Sequence, residues 1–566
     1  MIKNLPDHID PSIVQNFSMG SVEAPEDVLL WDCFCPISPV TRFLDGTKDI
    51  VLGAKGVGKS AIFTLLIRGQ LEFANPSDLR QFLLPIEQQI EYSKLKALSL
   101  KYLKSDIEDE DTRYRFLWEM YILYRICVRL KSEKLIDRTE LRQSVDSYIE
   151  IFSGKSTKPT FLELLTSTRK TVGVKLDASN PALPTPDVYF TVEPAGGQMD
   201  AESDIAHLDI TGLRKGINQC LRRNKAVFYV LIDNVDDFVA REEYQVQKVL
   251  LQGLLQTTRD YSSYAHLKIK LFLRTELYNK LNFSQLGGKD KISHRTVVLK
   301  WDDSNIRQFL AERFLYNLSR QLHIRKFEVE SEGRSLLLDR KDKSNASLLR
   351  KVMKWTQKRF GLLPPKDERD ARSVDFMDDL YSTVITTILP RTVAHFDSRG
   401  GEAEMSVFDY LDSHFCQADG ETTPRVALLF FERVFSICGQ YYARNPDENP
   451  MKRDFNREYP LVKREHLRQA YSELQGEMIE IFKSAITHRE WARMLDILFS
   501  RKGKKQSFSF GHIKKLVGQP DDEPMREFVA YLCHLGVLHC RDKSVQLQQR
   551  IYELPVILQH NWQPAK

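Results

Sequence analysis

The residues best suited to chemistry form a glycine-rich run at 53–60, G-A-K-G-V-G-K-S. Its spacing is that of a phosphate-binding loop, and apolar segments typical of a strand and a helix flank it. Glycines let backbone N–H groups approach phosphates, the lysine ammonium can reach the β and γ oxygens, and the serine hydroxyl can ligate Mg²⁺. We therefore expect ATP and Mg²⁺ to bind here. The predicted contact residues are Gly53, Ala54, Lys55, Gly56, Val57, Gly58, Lys59, Ser60 and Ala61.

An acidic residue, Asp233, ends the continuously apolar segment AVFYVLID. A carboxylate in that place is the expected partner of the loop serine in holding Mg²⁺. Many ATPases place a glutamate directly after it to polarise the attacking water. This chain has Asn234, whose amide cannot accept a proton. Asp236 and Asp237 are then the candidate bases for a slow hydrolysis, and the alternative that both cap the next helix stays open.

Three arginines have spacings that suit contacts with a γ-phosphate. Arg274 ends the apolar segment LFLR, where a polar residue can sense the γ-phosphate from between the two motif strands. Arg295 directly precedes TVVLKW and suits a finger that acts on the nucleotide of a neighbouring subunit. Arg425 in TTPRVALL begins a helix from which it could reach the nucleotide. For each, the alternative is a solvated or ion-paired arginine.

The elements that must position these residues alternate between strands and helices. Apolar runs and helical periodicity favour helices at 113–130 and 209–223, between strand-like segments. The predicted strands are 49–52, 95–103, 226–233, 269–274 and 296–301. This succession predicts an α/β fold: a P-loop NTPase with a doubly wound parallel sheet.

Composition shifts along the chain predict four segments. Five prolines break up an N-terminal arm, Gly, Pro and Ser interrupt the core with an inserted hairpin or loop, and helical periodicity dominates the third segment, as in an all-helical lid. Three short helices followed by strand, turn and strand give the last segment the order of a winged helix. The predicted bounds are 1–47 for the arm, 48–303 for the ATPase core, 152–205 for its insertion, 304–479 for the lid and 480–566 for the winged helix.

Length and composition exclude several classes of protein. The 566 residues are 42% hydrophobic, enough for sizeable cores, which excludes a disordered or fibrous chain. We expect no membrane contact, because no apolar run reaches the ~18 residues that a spanning helix needs, and the N-terminus lacks a secretory signal. Eight scattered cysteines suit a reducing compartment, so we expect a soluble, cytoplasmic protein.

The net charge of +5 lies in the C-terminal segment, where residues 480–566 carry 14 Lys and Arg against 9 Asp and Glu. A basic end favours contact with DNA phosphates. An ordinary solvated surface is the alternative. The basic residues that would touch duplex DNA are Arg501, Lys502, Lys504, Lys505, Lys514 and Lys515.

Together these features resemble the P-loop ATPases of the STAND, KAP and origin-recognition AAA+ branches, especially the bacterial ATPases that accompany antiphage and mobile-element loci. The segments that carry the resemblance are GAKGVGKSAI, VLIDNVDDF, LFLRTELY, DKISHRTVVLKWD and TPRVALLFFE. It implies that the glycines, Lys59 and Ser60 bind ATP, that Asp233 binds the metal, and that Arg274 and Arg425 are the first and the lid sensor. Asn234 departs from the pattern, because the family commonly has a second acidic residue there.

Three functions remain open from the sequence. The first is a regulatory ATPase that works as a homo-oligomer; the resemblance alone implies that it serves antiviral defence through a separately encoded effector protein. The second is an origin-type AAA+ protein that binds DNA through its winged helix. The third is a scaffold that holds nucleotide without hydrolysing it.

Overall fold

The structure is a computed structural model. It describes residues 2, 4–6, 9–74, 79–86, 110–136, 138–153, 168–176, 186–194, 210–235, 244–279, 281, 289–331, 334–339, 378–379, 381–396, 402–415, 423–445, 461–484, 489–500, 507–519, 521–534, 537–540 and 545–554. Several features predicted from the sequence lie outside these ranges: the strand at 95–103, Asp236, Asp237 and the basic segment 501–505.

Strands and helices alternate along most of the described chain. The strands are β1 (Ile50–Gly53), β2 (Arg80–Ile86), β3 (Thr168–Leu176), β4 (Pro186–Pro194), β5 (Ala226–Ile232), β6 (Leu267–Arg274), β7 (Thr296–Val298), β8 (Lys326–Ser331), β9 (Arg334–Asp339), β10 (Thr392–Phe396), β11 (Glu402–Ser406), β12 (Ser507–Ser509), β13 (His539–Cys540) and β14 (Ile551–Glu553). The helices are α1 (Ser38–Leu44), α2 (Lys59–Ile67), α3 (Glu110–Ser132), α4 (Thr139–Ser153), α5 (Ile210–Arg223), α6 (Tyr244–Tyr261), α7 (Thr275–Asn279), α8 (Lys289–His294), α9 (Asp303–Leu322), α10 (Val407–Phe415), α11 (Pro424–Arg444), α12 (Arg464–Ser484), α13 (Arg489–Ser500), α14 (Phe510–Val517) and α15 (Asp522–His534).

The chain divides into two compact units. The sheet unit comprises residues 42–53 and 66–298, and the helical unit comprises residues 1–41, 54–65 and 299–566. The helical unit therefore includes the residues that follow β1 directly.

A five-stranded parallel sheet forms the centre of the sheet unit, in the order β2-β5-β6-β1-β7. Every residue of β5 is buried, as expected of a strand covered on both faces. Helices α3 and α6 pack closely: a Cβ at Gly253 would lie 2.6 Å from the backbone N of Arg115. The structure confirms the predicted α/β class with a parallel sheet.

The strand next to β5 is one that the sequence analysis does not predict, β2 at Arg80–Ile86. The strand predicted at 95–103 lies outside the described residues and stays a prediction. Among the described strands β2 pairs with β5 alone, and an edge strand can carry the exposed Arg80 and the proline Pro85, which lacks an N–H. These polar and proline residues hide the apolar pattern that identifies a central strand.

The N-terminal residues pack into the core of the helical unit. The residues at 11–16 form a short 3₁₀ helix in this packing, and Asn317 of α9 exchanges two hydrogen bonds with the backbone of Ser18 at 2.9 and 2.8 Å. Arg313 of α9 binds Asp27 at 2.7 Å, and both side chains are buried. Separating a buried ion pair would leave each charge uncompensated, so this pair fixes the N-terminal arm on α9.

Two β-hairpins correct the expectation of an all-helical lid. Strands β8 and β9 pair antiparallel, and so do β10 and β11. Each strand has only five or six residues, too few to stand out beside the long helices α9, α11 and α12. A helix contact supports the second hairpin, since Arg464 of α12 binds Glu404 of β11 at 2.7 Å.

The C-terminal residues confirm the predicted winged helix. Helices α13, α14 and α15 accompany a three-stranded antiparallel sheet of order β12-β14-β13. Phe510, Phe528 and Leu532 are fully buried between these elements. In the described ranges no helix is both long and apolar enough to cross a membrane.

Candidate nucleotide-binding site

The glycine-rich run folds as a loop between strand and helix, as predicted. Strand β1 ends at Gly53 and α2 begins at Lys59. Gly56 and Gly58 have φ angles of +85° and +102°. Side chains rarely adopt this left-handed region, so the loop path requires glycine at both positions.

The first turn of α2 carries the two motif side chains. Lys59 donates from Nζ to the carbonyl of Ala54 at 3.0 Å, across the loop. Ser60 follows it in the same turn. The first N–H groups of a helix have no partner within it and carry partial positive charge, which suits an anion. The loop, the helix and the lysine together have the features that suit a phosphate, and phosphate binding here stays a prediction.

Two residues far along the sequence contact this loop within the helical unit. Trp301 donates from Nε1 to the carbonyl of Val57 at 2.9 Å. Arg425, at the start of α11, packs on Gly56 so closely that a Cβ there would lie 2.6 Å from the Arg425 Cβ. The guanidinium of Arg425 lies 3.7 Å from the carboxylate of Glu23. The structure thus brings the predicted Arg425 to the loop. It also adds Trp301, which the sequence pattern places at the end of a predicted strand.

Two more predicted residues lie at the carboxyl edge of the parallel sheet. Asp233 directly follows β5 and is 1% exposed. Arg274 ends β6 and stands in register with Gly53, the last residue of β1. Because β6 pairs with both β5 and β1, Arg274 comes between the ends of the two motif strands. Their roles as metal ligand and sensor stay predictions.

The backbone explains why asparagine follows Asp233. Asn234 has a φ of +58°, in the left-handed region. Asparagine adopts this conformation more readily than most other residues with a side chain, glutamate included. The position that holds a catalytic glutamate in many ATPases thus has a left-handed backbone here. The remaining candidates for the base, Asp236 and Asp237, lie outside the described residues.

Arg295 lies at the opposite end of β1 from Gly53. It precedes β7, which runs parallel to β1 from Ile50, and its Nε binds the Asp49 carboxylate at 2.5 Å. Asp49 also binds the fully buried Lys270 at 3.1 Å. Burial lowers the pKa of Lys270 to about 8, against the opposing effect of Asp49. Arg295 is therefore remote from the start of its own loop, and its action on a neighbouring subunit stays a prediction.

Sequence reasoning missed this charged cluster, although a signal for it exists. Lys270 interrupts the apolar strand LKIKLFLR, and a lysine at a buried strand position requires a carboxylate or carbonyl partner. The Lys270 ammonium also donates to the carbonyls of Gly46 and Lys48 at 3.0 and 2.5 Å. These contacts fix the amino end of β1.

Comparisons with known proteins find only distant structural likenesses. No family model matches the chain, and no curated protein matches it. Among solved structures, it is similar to the ORC1 protein of Aeropyrum pernix in complex with DNA, at 10% identity and a TM-score of 0.32, covering 93% of each chain. It is also similar to the ORC2 protein of Aeropyrum pernix (ADPNP–ADP complexes), at 10% identity and a TM-score of 0.30, covering 91% of this chain and 86% of that one. At such values neither likeness bears on what this chain binds or does.

Proposed function

We propose that the chain binds ATP at residues 53–61 and hydrolyses it slowly, as a regulatory P-loop ATPase of the AAA+ type. The observation that carries the proposal is the loop itself. Its glycines adopt the required left-handed angles, its lysine bridges it, and a helix begins immediately after it. A chance glycine turn would not bring all three together.

Mg²⁺ fits the donors that the motif supplies. The Ser60 hydroxyl and the Asp233 carboxylate are hard oxygen ligands of the kind that Mg²⁺ takes. When bound, the ion neutralises charge on the phosphates. Asn234 cannot serve as the base, so we assign the positioning of water to Asp236, with Asp237 as the alternative.

Regulation is the role that Arg425 suits. It belongs to the first turn of α11 and packs on the loop at Gly56. Its guanidinium forms an ion pair with Glu23 of the N-terminal arm. A γ-phosphate arriving at the loop would attract the same guanidinium. Binding or loss of ATP would then move α11 and the N-terminal arm. These elements would pass the change to another subunit of a homo-oligomer or to a separately encoded effector of antiphage defence.

The experiment is a calorimetric titration with MgATP. Lys59→Ala should abolish measurable ATP binding, because it removes the cation that seeks the phosphates. Lys215→Ala is the matched control, since Lys215 is an exposed lysine of α5 in the sheet unit. ATP heats from Lys59→Ala equal to those of the wild type would end the proposal.

DNA binding is a second candidate, favoured by the basic excess of residues 480–566. The described winged helix supports it weakly. Lys514 is ion-paired with Asp522, and the exposed residues of α15 include Glu523 and Glu527 beside Arg526. An acidic helix is repelled by phosphates, so contact would depend mainly on the segment 501–505.

Salt dependence decides this second candidate. Each phosphate contact contributes close to one unit to the slope of log affinity against log salt. Replacing the basic residues by Glu should weaken binding to unrelated duplexes equally, because phosphates carry no sequence information. No duplex binding by the wild type at low salt would exclude it. The residues to replace are Lys502, Lys504, Lys505, Lys514 and Lys515.

A further inference from the structure

Trp301 holds the tip of the phosphate-binding loop from outside the motif. We propose that it is a positioning residue: its indole N–H fixes the Val57–Gly58 peptide so that the Gly58 N–H faces the phosphates of a bound nucleotide. This inference rests on the proposed nucleotide binding. The inference adds to the site a residue that lies outside the glycine-rich motif and far from it in the sequence.

The indole is itself firmly held. Its ring packs edge-to-face on Phe309 of α9, with centroids 5.7 Å apart and planes at 76°. Trp301 is partly buried against the core of the helical unit, and Phe309 is buried within that core. With the ring fixed, the Nε1 donor has a fixed direction, and the Val57 carbonyl accepts from it at 2.9 Å.

A fixed carbonyl fixes the neighbouring N–H. The C=O of Val57 and the N–H of Gly58 belong to one planar peptide, and in the trans form they point in opposite directions. No cis peptide occurs among the described residues. A bond that holds the carbonyl towards Trp301 therefore turns the Gly58 N–H away from Trp301. Gly58 directly precedes Lys59, the first residue of α2, where phosphate is expected.

The loop needs such an external hold. Gly58 has a φ of +102°, and glycine populates positive and negative φ about equally, so the Val57–Gly58 peptide can flip at little cost. The buried Val57 side chain anchors the residue but leaves its carbonyl direction open. Arg425 packs on the preceding residue, Gly56. Trp301 supplies the hydrogen bond that selects one peptide orientation.

The test is Trp301→Phe, which keeps an aromatic ring and removes the donor. One intramolecular hydrogen bond contributes about 0.5–1.5 kcal/mol, so ATP and ADP should bind roughly 2- to 12-fold more weakly by calorimetry. Adenosine, which has no phosphate, should bind as it does to the wild type. The apoprotein should unfold at a somewhat lower denaturant concentration, because the bond from Trp301 to the Val57 carbonyl is already present without nucleotide. The matched control is Trp491→Phe in the winged helix, where the ring centroids of Trp491 and Tyr531 lie 5.0 Å apart.

A shape-matched variant separates the hydrogen bond from packing. Benzothienylalanine at position 301 has the outline of tryptophan with sulfur in place of N–H, and it should show the same weakening for ATP. Equal ATP affinity of the wild type and both variants would overturn the positioning role while leaving the proposed function intact. A parallel loss for adenosine, or an ATP affinity that falls with phenylalanine but not with benzothienylalanine, would assign Trp301 to packing alone. A wild type that binds no ATP would refute the proposed function itself.

Discussion

Gly56→Ala tests whether the start of α11 rests on the phosphate-binding loop. The new methyl group would lie 2.6 Å from the Cβ of Arg425 and 3.0 Å from its Cδ. A Cβ is held by the backbone, so the contact cannot be relieved by turning a side chain. The residue must also keep a φ of +85°.

The two costs can be separated with a second glycine of the same loop. A side chain in the left-handed region costs about 1–2 kcal/mol, and overpacking adds about 1–3 kcal/mol. Gly58→Ala carries only the first cost, because nothing lies within 4 Å of a Cβ there. Gly56→Ala should therefore destabilise the apoprotein by about 1–3 kcal/mol more than Gly58→Ala.

Denaturant unfolding without nucleotide, followed by tryptophan fluorescence, measures this difference. Arg425→Gly removes the clashing Cβ, so Gly56→Ala should cost less free energy of unfolding in the Arg425→Gly background than in the wild type. Equal stability of Gly56→Ala and Gly58→Ala would refute the contact between Arg425 and the loop.

Three further predictions concern charge and catalysis. The pKa of Lys270 falls from 10.5 to about 8 in the folded chain. The unfolded chain therefore binds more protons between these pH values, and the free energy of unfolding of the wild type should rise from about pH 8 to 10.5. Lys270→Met should lack this rise, and identical pH profiles of stability would contradict the prediction. Asp236→Asn should spare ATP binding but slow hydrolysis by roughly 10²- to 10⁴-fold, and an unchanged turnover number would transfer the role to Asp237 or to no base. Mixing inactive Lys59→Ala with inactive Arg295→Ala should restore some hydrolysis if Arg295 acts on a neighbouring subunit; no rescue, with activity independent of concentration, would make Arg295 a structural partner of Asp49.

The loop, the buried strands and the winged helix were predictable because their signals are local. The glycine spacing defines the turn before α2, and the unbroken apolar run of β5 defines a strand that ends at Asp233. Parallel pairing then places Arg274 beside Gly53. The loop, the buried strand and the winged helix each need only a short window of sequence, whereas the pairing of β6 with β1 follows from the expected parallel sheet.

What escaped prediction depends on partners far apart in the chain. Pairing with β5 makes an edge strand of Arg80–Ile86 despite its arginine and proline. The Trp301 donor meets a carbonyl 244 positions earlier, and no spacing rule encodes that contact. Asp49 binds Lys270 of β6 and Arg295, which directly precedes β7, so the ion pair of Arg295 depends on β1 lying between β6 and β7.

Hydrogen exchange on adding MgATP tests the central claim most directly, because it reports where the nucleotide binds. Bound phosphates should engage the loop amides, so exchange should slow at residues 54–60, and Lys59→Ala should abolish that protection while Lys215→Ala retains it. Protection confined to other segments, or protection of the loop that persists in Lys59→Ala, would contradict nucleotide binding at this loop.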